Sequence, residues 1–200
     1  MSGEQTRDRR SERNAATQRE ILDAAWQLVR EEGLAALAMR DLGARVGMRA
    51  QSLYGYFPSK HAIFDAMFAD GSRELLTRLS VLDGILDPDE RLRELGRLFV
   101  RFCVEDPVRH QLLFQRAIPG FQPSAESYQL AVDALALART TVRACGITSQ
   151  RAFDAWTALN GGLAAQQNAN EPGGQRWVRL VDELTDMLLA TYRKPSRRKQ

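Results

Sequence analysis

Apolar residues recur along this chain at three- and four-residue steps, and nowhere does a sustained alternation of apolar and polar positions run between hairpin-type turns. The pattern predicts an all-α fold. Thr17-Gln-Arg-Glu20 reads as a capping box, Ile21, Leu22, Ala25, Leu28 and Val29 fill one face, and Gly33 offers a left-handed stop, so a first helix is expected over 17–32. A short helix over 39–46 presents Met39, Leu42, Gly43 and Val46 on one side, and Gly47 ends it. A third over 49–56 puts Ala50, Leu53 and Tyr54 on the side of Phe57, with Gln51, Ser52, Gly55 and Tyr56 opposite. Pro58 and Ser59 punctuate the chain before a fourth helix over 60–80 that carries Ile63, Phe64, Met67, Phe68, Leu75 and Leu79.

Start and stop signals continue downstream. Asp87-Pro88-Asp-Glu90 combines a capping acid, a proline at the first helical position and further acids, which predicts a helix over 88–104. Asp106-Pro107 repeats the device for a helix to about 117, stopped by Pro119-Gly120. Long helices are expected from Ser124 to Cys145-Gly146 and from Thr148-Ser149 to about 169, with a last one over 175–192 after Pro172-Gly173-Gly174. The basic stretch 193–200 reads as a frayed tail.

At 200 residues, 44% hydrophobic and 26% charged, the composition excludes disordered, collagen-like and disulfide-scaffold classes. No apolar run approaches the roughly 18 residues of a membrane-spanning helix. The first twenty residues lack the apolar segment of a secretory signal, so a cytoplasmic location is expected. Cys103 and Cys145 lie in apolar helical surroundings and read as buried free thiols. His61 and His110 have no partner at metal-ligand spacing, and neither a metal nor a cofactor is expected.

Two short helices joined at Gly47 and preceded by a supporting helix form the pattern of a helix-turn-helix. Residues 39–60 hold Arg40, Arg45, Arg49 and Lys60 against Asp41 alone, a net of +3 that equals the excess of the whole chain. Exposed Gln51 at the head of a groove-entering helix can pair with adenine N6 and N7. Gly55 lets that helix approach the groove floor, Ser52 reaches a base or a phosphate, and Tyr56, Lys60, Arg40 and Arg45 are phosphate candidates. Arg49 suits either a phosphate or a guanine edge, and Leu53, Phe57 and most of Tyr54 read as core.

The run from Met39 to Lys60, above all Leu53-Tyr54-Gly-Tyr56-Phe57-Pro58-Ser59-Lys60, resembles the DNA-binding region of the TetR family of transcriptional regulators over residues 17–64. Ala38 stands where that family often has a capping Thr or Ser, and Arg49 where Ser often begins the recognition helix. Trp156-Thr-Ala-Leu-Asn160-Gly161 is similar to a Trp-x-x-x-His-Gly element of one carboxyl-domain group, with Asn160 in place of the histidine.

The resemblance implies a DNA-binding domain over 17–64 and a helical ligand-binding and dimerisation domain over 65–192; the charges of Arg7, Arg9, Arg10 and Arg13 mark a flexible basic arm over 1–16, and 193–200 is the tail. It implies a homodimer on a palindromic duplex operator and a repressor released by a small apolar organic effector, with the fourth helix as the lever. Candidate effector contacts are Phe99, Phe102, Cys103, Phe114, Phe121, Tyr128, Trp156 and Asn160, faces that offer no evident buried charge. Leu159, Leu163, Trp177, Leu180, Val181, Leu184 and Leu188 resemble the dimerising pair of helices. A ligand-independent DNA-binding regulator fits the amino-terminal motif equally well. An all-α enzyme is the rival of another class, but no GxSxG, phosphate-loop glycines, HExxH or Cys/His cluster supports it.

Overall fold

A computed structural model describes residues 2–193, with side chains described from residue 11 onward. The described residues hold helices α1 (Ser2–Glu32), α2 (Met39–Arg45), α3 (Ala50–Leu53), α4 (Lys60–Leu79), α5 (Pro88–Glu105), α6 (Pro107–Phe114), α7 (Ala125–Ala144), α8 (Gln150–Asn170) and α9 (Val181–Tyr192), and no strand. Short 3-10 turns occupy 34–36, 80–84 and 178–180. The predicted caps form where the backbone needs them. Asp87 accepts from Glu90 N at 2.8 Å, Ser59 from Ala62 N at 3.1 Å, Ser149 from Ala152 N at 3.2 Å and Asp106 from Arg109 N at 3.0 Å.

Several expectations change. The helix expected from residue 17 reaches back to Ser2, so the arm expected over 1–16 is helical from residue 2. Between residues 4 and 32 there is neither Pro nor Gly, and the Arg, Glu, Gln and Ala there sustain a helix once it is started. Thr17 therefore caps nothing: its hydroxyl donates to Arg13 O at 3.0 Å inside α1. The helix expected over 49–56 closes at Leu53, and Tyr56 N and Phe57 N both turn back onto Leu53 O, at 2.9 and 2.8 Å. The segment 175–180 does not join α9, because side chains from the end of α8 intercept its backbone. Gln167 Oε1 accepts from Trp177 N at 2.9 Å and the Glu171 carboxylate from Arg176 N at 2.9 Å. The tail from residue 194 lies outside the described residues. Arg193, assigned to that tail, is anchored: it donates to Cys145 O at 3.1 Å and pairs with Asp89.

The chain divides into two compact units, residues 1–70 with 111–128, and 71–110 with 129–200. The first unit buries Ile21, Ala25, Trp26, Leu28 and Val29 of α1 with Leu42, Leu53, Phe57, Ile63, Phe64 and Met67. Asp70 ties α1 to α4, accepting from Arg19 at 2.8 Å and from Trp26 Nε1 at 3.0 Å. Asp65 of α4 receives the head of α7, accepting from Ser124 N at 2.6 Å, Ser124 Oγ at 3.0 Å and Ser127 Oγ at 2.9 Å. Phe121 packs on Phe64 and His61, with ring centroids 5.8 and 6.0 Å apart.

The second unit packs α5, α8 and α9 together. At their centre Gly96 is required by space: a Cβ there would stand 2.9 Å from Val181 Cγ1 and 3.0 Å from Asn160 Oδ1. An ionic ladder holds α9 to α5, with Arg97 bidentate to Asp182 at 2.8 and 2.7 Å and Arg93 on Asp186 at 2.7 Å. Both cysteines are free and buried, as expected. Burial raises both thiols, Cys145 to about 11, so neither is a thiolate at neutral pH.

The tightest backbone approach lies between α2 and α3. Met48 N donates to Gly43 O at 2.8 Å, and a Cβ on Gly43 would meet Met48 O at 2.7 Å and Ala50 N at 3.3 Å. Neither atom is a side chain that can swing away. Gly43→Ala should therefore destabilise the first unit by about 1–3 kcal/mol, despite alanine's better helix propensity. Gly84→Ala, with nothing within 4 Å of its Cβ, should stay within about 0.5 kcal/mol of the parent in the same denaturant titration. Equal midpoints for the two variants would contradict the close approach.

Candidate nucleic-acid interface

The α2–α3 corner is built by glycine. Gly47 adopts φ +67, a conformation that L side chains rarely take, and Gly43 admits the returning chain. The full burial of Leu53, worth about 1.5–3 kcal/mol relative to exposure, then anchors α3 from beneath. Gln51, Ser52 and Gly55 are left exposed on the outer side, as the sequence predicts. Tyr54 differs from expectation. It is 45% exposed, because it stands three residues after Gln51 and shares its side rather than that of Leu53. The i+3 spacing is visible in the sequence, and counting Tyr54 with the core obscures it.

The basic residues part company. Arg45 pairs with Glu31 and, at 3.5 Å, Glu32 at the end of α1, so it clasps α1 to α2. Arg40 is exposed, with Asp41 at 3.4 Å. Lys60 opens α4, its Nζ 3.5 Å from Ala35 O and 5.5 Å from the Phe64 ring centroid. Tyr56 is half-buried, and its carbonyl accepts from Gln18 Nε2 at 3.4 Å. Arg49 takes the N-cap position of α3 with extended backbone and makes no cap bond; Ala38 likewise leaves α2 without a side-chain cap.

The eight effector candidates fall in both units. Phe114, Phe121 and Tyr128 belong to the first, where Phe114 and Tyr128 are exposed. Phe99, Phe102, Cys103, Trp156 and Asn160 belong to the second, where all but half-buried Phe99 are buried. Phe102 lies under a buried guanidinium that the sequence did not signal. Arg109, 4% exposed, stands 3.7 Å over that ring, donates to Phe102 O at 2.9 Å and pairs with Glu74. These faces are thus not free of buried charge. Trp156 Nε1 and Asn160 Oδ1 are a buried donor and a buried acceptor without protein partners, and the two residues border, with Leu159, Leu163, Val181 and Leu184, a gap too tight for a water molecule.

Among the dimerisation candidates, Leu163 and Val181 close onto Val100 in their own unit's core, with Trp177, Leu180 and Leu184 packed at its edge. An open apolar groove runs beside them. Ala155, Ala158 and Leu159 of α8 form one wall and Leu184, Met187, Leu188 and Thr191 of α9 the other. Met187, 57% exposed, is not among the sequence candidates although it lies three residues from Leu184.

A glycine-locked pair of short helices that carries an exposed polar face on a supporting helix defines a helix-turn-helix module. Residues 21–67, which contain this module, match the family model described as bacterial regulatory proteins, tetR family. A repressor of Streptomyces coeruleorubidus, the HTH-type transcriptional repressor DrrR1, is 27% identical over 168 residues, 81% of this chain and 57% of its own length. The chain thus spans little more than half of that relative. The TetR family regulator PfmR of Thermus thermophilus shares the fold with a TM-score of 0.65 at 20% identity, covering 85% of this chain and 97% of that one. The FadR regulator of Bacillus subtilis, solved in complex with stearoyl-CoA, shares it with a TM-score of 0.64 at 15% identity, covering 85% of this chain and 96% of its own. No described helix is long and apolar enough to cross a membrane.

Hydrogen bonding from Arg45 holds the Glu31 carboxyl below its ordinary value, so the clasp persists above that value and is lost as pH falls through the lowered one. In a carbon-detected NMR titration Glu31 should titrate at lower pH in the parent than in Arg45→Ala. Identical midpoints would show that the clasp does not form in solution.

Proposed function

We propose that the chain acts as a homodimer on a pseudo-palindromic duplex, repressing transcription until an effector with an apolar body releases it. The observation that carries the DNA contact is the exposed, glycine-positioned face of Gln51, Ser52 and Gly55 on α3, with Arg49 at its head. A four-residue helix reads few bases, so two copies are needed for a specific site. Gln51 reads a base; Lys60, Tyr56 and Arg40 hold phosphate, and Arg45 contributes from its clasp. The repressor named among the relatives supports the direction of control.

The two copies meet along the apolar groove of α8 and α9, which offers an i, i+3, i+4, i+7 series on α9 for four-helix packing. The effector sits in the second unit near Phe99, Phe102, Cys103, Trp156 and Asn160. The unpartnered Trp156 N–H and Asn160 carbonyl support a polar group on an otherwise apolar molecule, and the stearoyl-CoA complex of FadR supports an acyl-type body. Release requires that the effector favour one arrangement of the two reading heads, with α4, whose residues fall in both units, as the lever.

Duplex binding across several salt concentrations tests the interface. Gln51→Ala should change base preference, whereas Lys60→Ala should weaken all sequences and lower the salt slope by about one. Unchanged binding in both variants would sink the assignment. In the same assay, a saturating compound that raises the protein's Tm should weaken the selected complex about 5- to 150-fold, and unchanged affinity would remove the effector step.

Leu184→Asp would bury an unpaired carboxylate in the groove at a cost of several kcal/mol. Sedimentation should then find a folded monomer where the parent is a dimer, and a persisting dimer would place the interface elsewhere.

A further inference from the structure

The four basic side chains of the helix-turn-helix keep different company. Arg45 is engaged by Glu31 and Glu32, Arg40 has Asp41 nearby, and Lys60 reaches the Ala35 carbonyl and the Phe64 ring. Arg49 is exposed, and among the described residues no acid, carbonyl or ring holds its guanidinium. It occupies an N-cap, φ −69 and ψ 143, where a short oxygen-bearing side chain would serve the helix and an arginine does not. The fold therefore makes no use of this side chain.

Its root is nevertheless fixed. The residue before it is held by the 2.8 Å bond from Met48 N to Gly43 O, and its own carbonyl accepts from Ser52 N at 2.8 Å. A fixed root with a free guanidinium suits a contact that demands geometry. Phosphate attraction needs only a charge within reach, whereas the planar fork of an unengaged guanidinium also matches the paired acceptors of a base. Helix-turn-helix modules direct the first residues of the second helix at base edges in the major groove, and guanine O6 and N7 are the acceptors that an arginine fork fits.

We propose that Arg49 reads a guanine in each half-site through O6 and N7, making it a specificity-determining residue; this rests on the duplex-binding reading above. Gln51, two residues on, reads its own base, so the half-site carries a guanine near the position where Gln51→Ala relaxes preference.

The experiment is selection of duplexes from a random pool by the full chain, followed by replacement of each selected guanine with 7-deazaguanine. That base keeps its pairing and its phosphate but lacks the N7 acceptor. At one guanine the replacement, which removes N7 and leaves O6, should weaken parent binding about 2- to 12-fold, the range expected for loss of one hydrogen bond of the pair. Arg49→Ala should be indifferent to the replacement there, and Arg49→Lys, which keeps the charge, should lose most of the preference. Parent binding that is indifferent to 7-deazaguanine at every position would overturn the proposal. So would an Arg49→Ala protein that binds selected and random duplexes equally more weakly with a salt slope lowered by about one, the signature of a phosphate contact. A pool from which the parent selects nothing would overturn the duplex-binding reading and this proposal together.

Discussion

The approach of Met48 O to the place where a Cβ on Gly43 would stand is the constraint on which the outer face of the first unit depends. With a side chain there, the returning chain of the turn must lift away from α2, and α3 would lose its seat on Leu53. The four residues of α3 make too few internal hydrogen bonds to persist on their own. Its orientation comes from what it rests on. One missing methyl group thus decides where Arg49, Gln51 and Ser52 point.

Charge serves the fold in a second, separable way. Arg45 on Glu31, Arg19 on Asp70 and Arg97 on Asp182 each join two different helices. Most of these pairs are partly exposed, so each contributes little free energy by itself and its main effect is to fix register. Arg109 differs, being buried with Phe102 beneath it, and its partner Glu74 cannot be removed without stranding a charge.

The helical architecture was legible because periodicity and capping are local. Asp87, Ser59, Ser149 and Asp106 cap where the sequence places caps. Gly43 shows in the sequence only as a member of an apolar face, since nothing local reveals that Met48 O comes within 2.7 Å of a would-be Cβ. The candidate interface was legible in Gln51, Ser52 and Gly55, whose exposure follows from helical spacing. Arg45 was not, because its acids belong to α1, and neither was the burial of Arg109, whose partner lies 35 residues away. Thr17 failed for the opposite reason: a correct local motif was overridden by a longer helix that left it no free backbone end.

The ladder on α9 has a consequence for how such proteins diverge. Asp182, Asp186 and Arg193 recur at steps of four and seven, on the side that faces α5 and the end of α7. Leu184, Met187, Leu188 and Thr191 lie about half a turn away, on the groove. The tether and the groove therefore occupy separate registers of one short helix. After a gene duplication, groove residues can be exchanged while the helix keeps its seat, so what the groove accepts can change within a few substitutions.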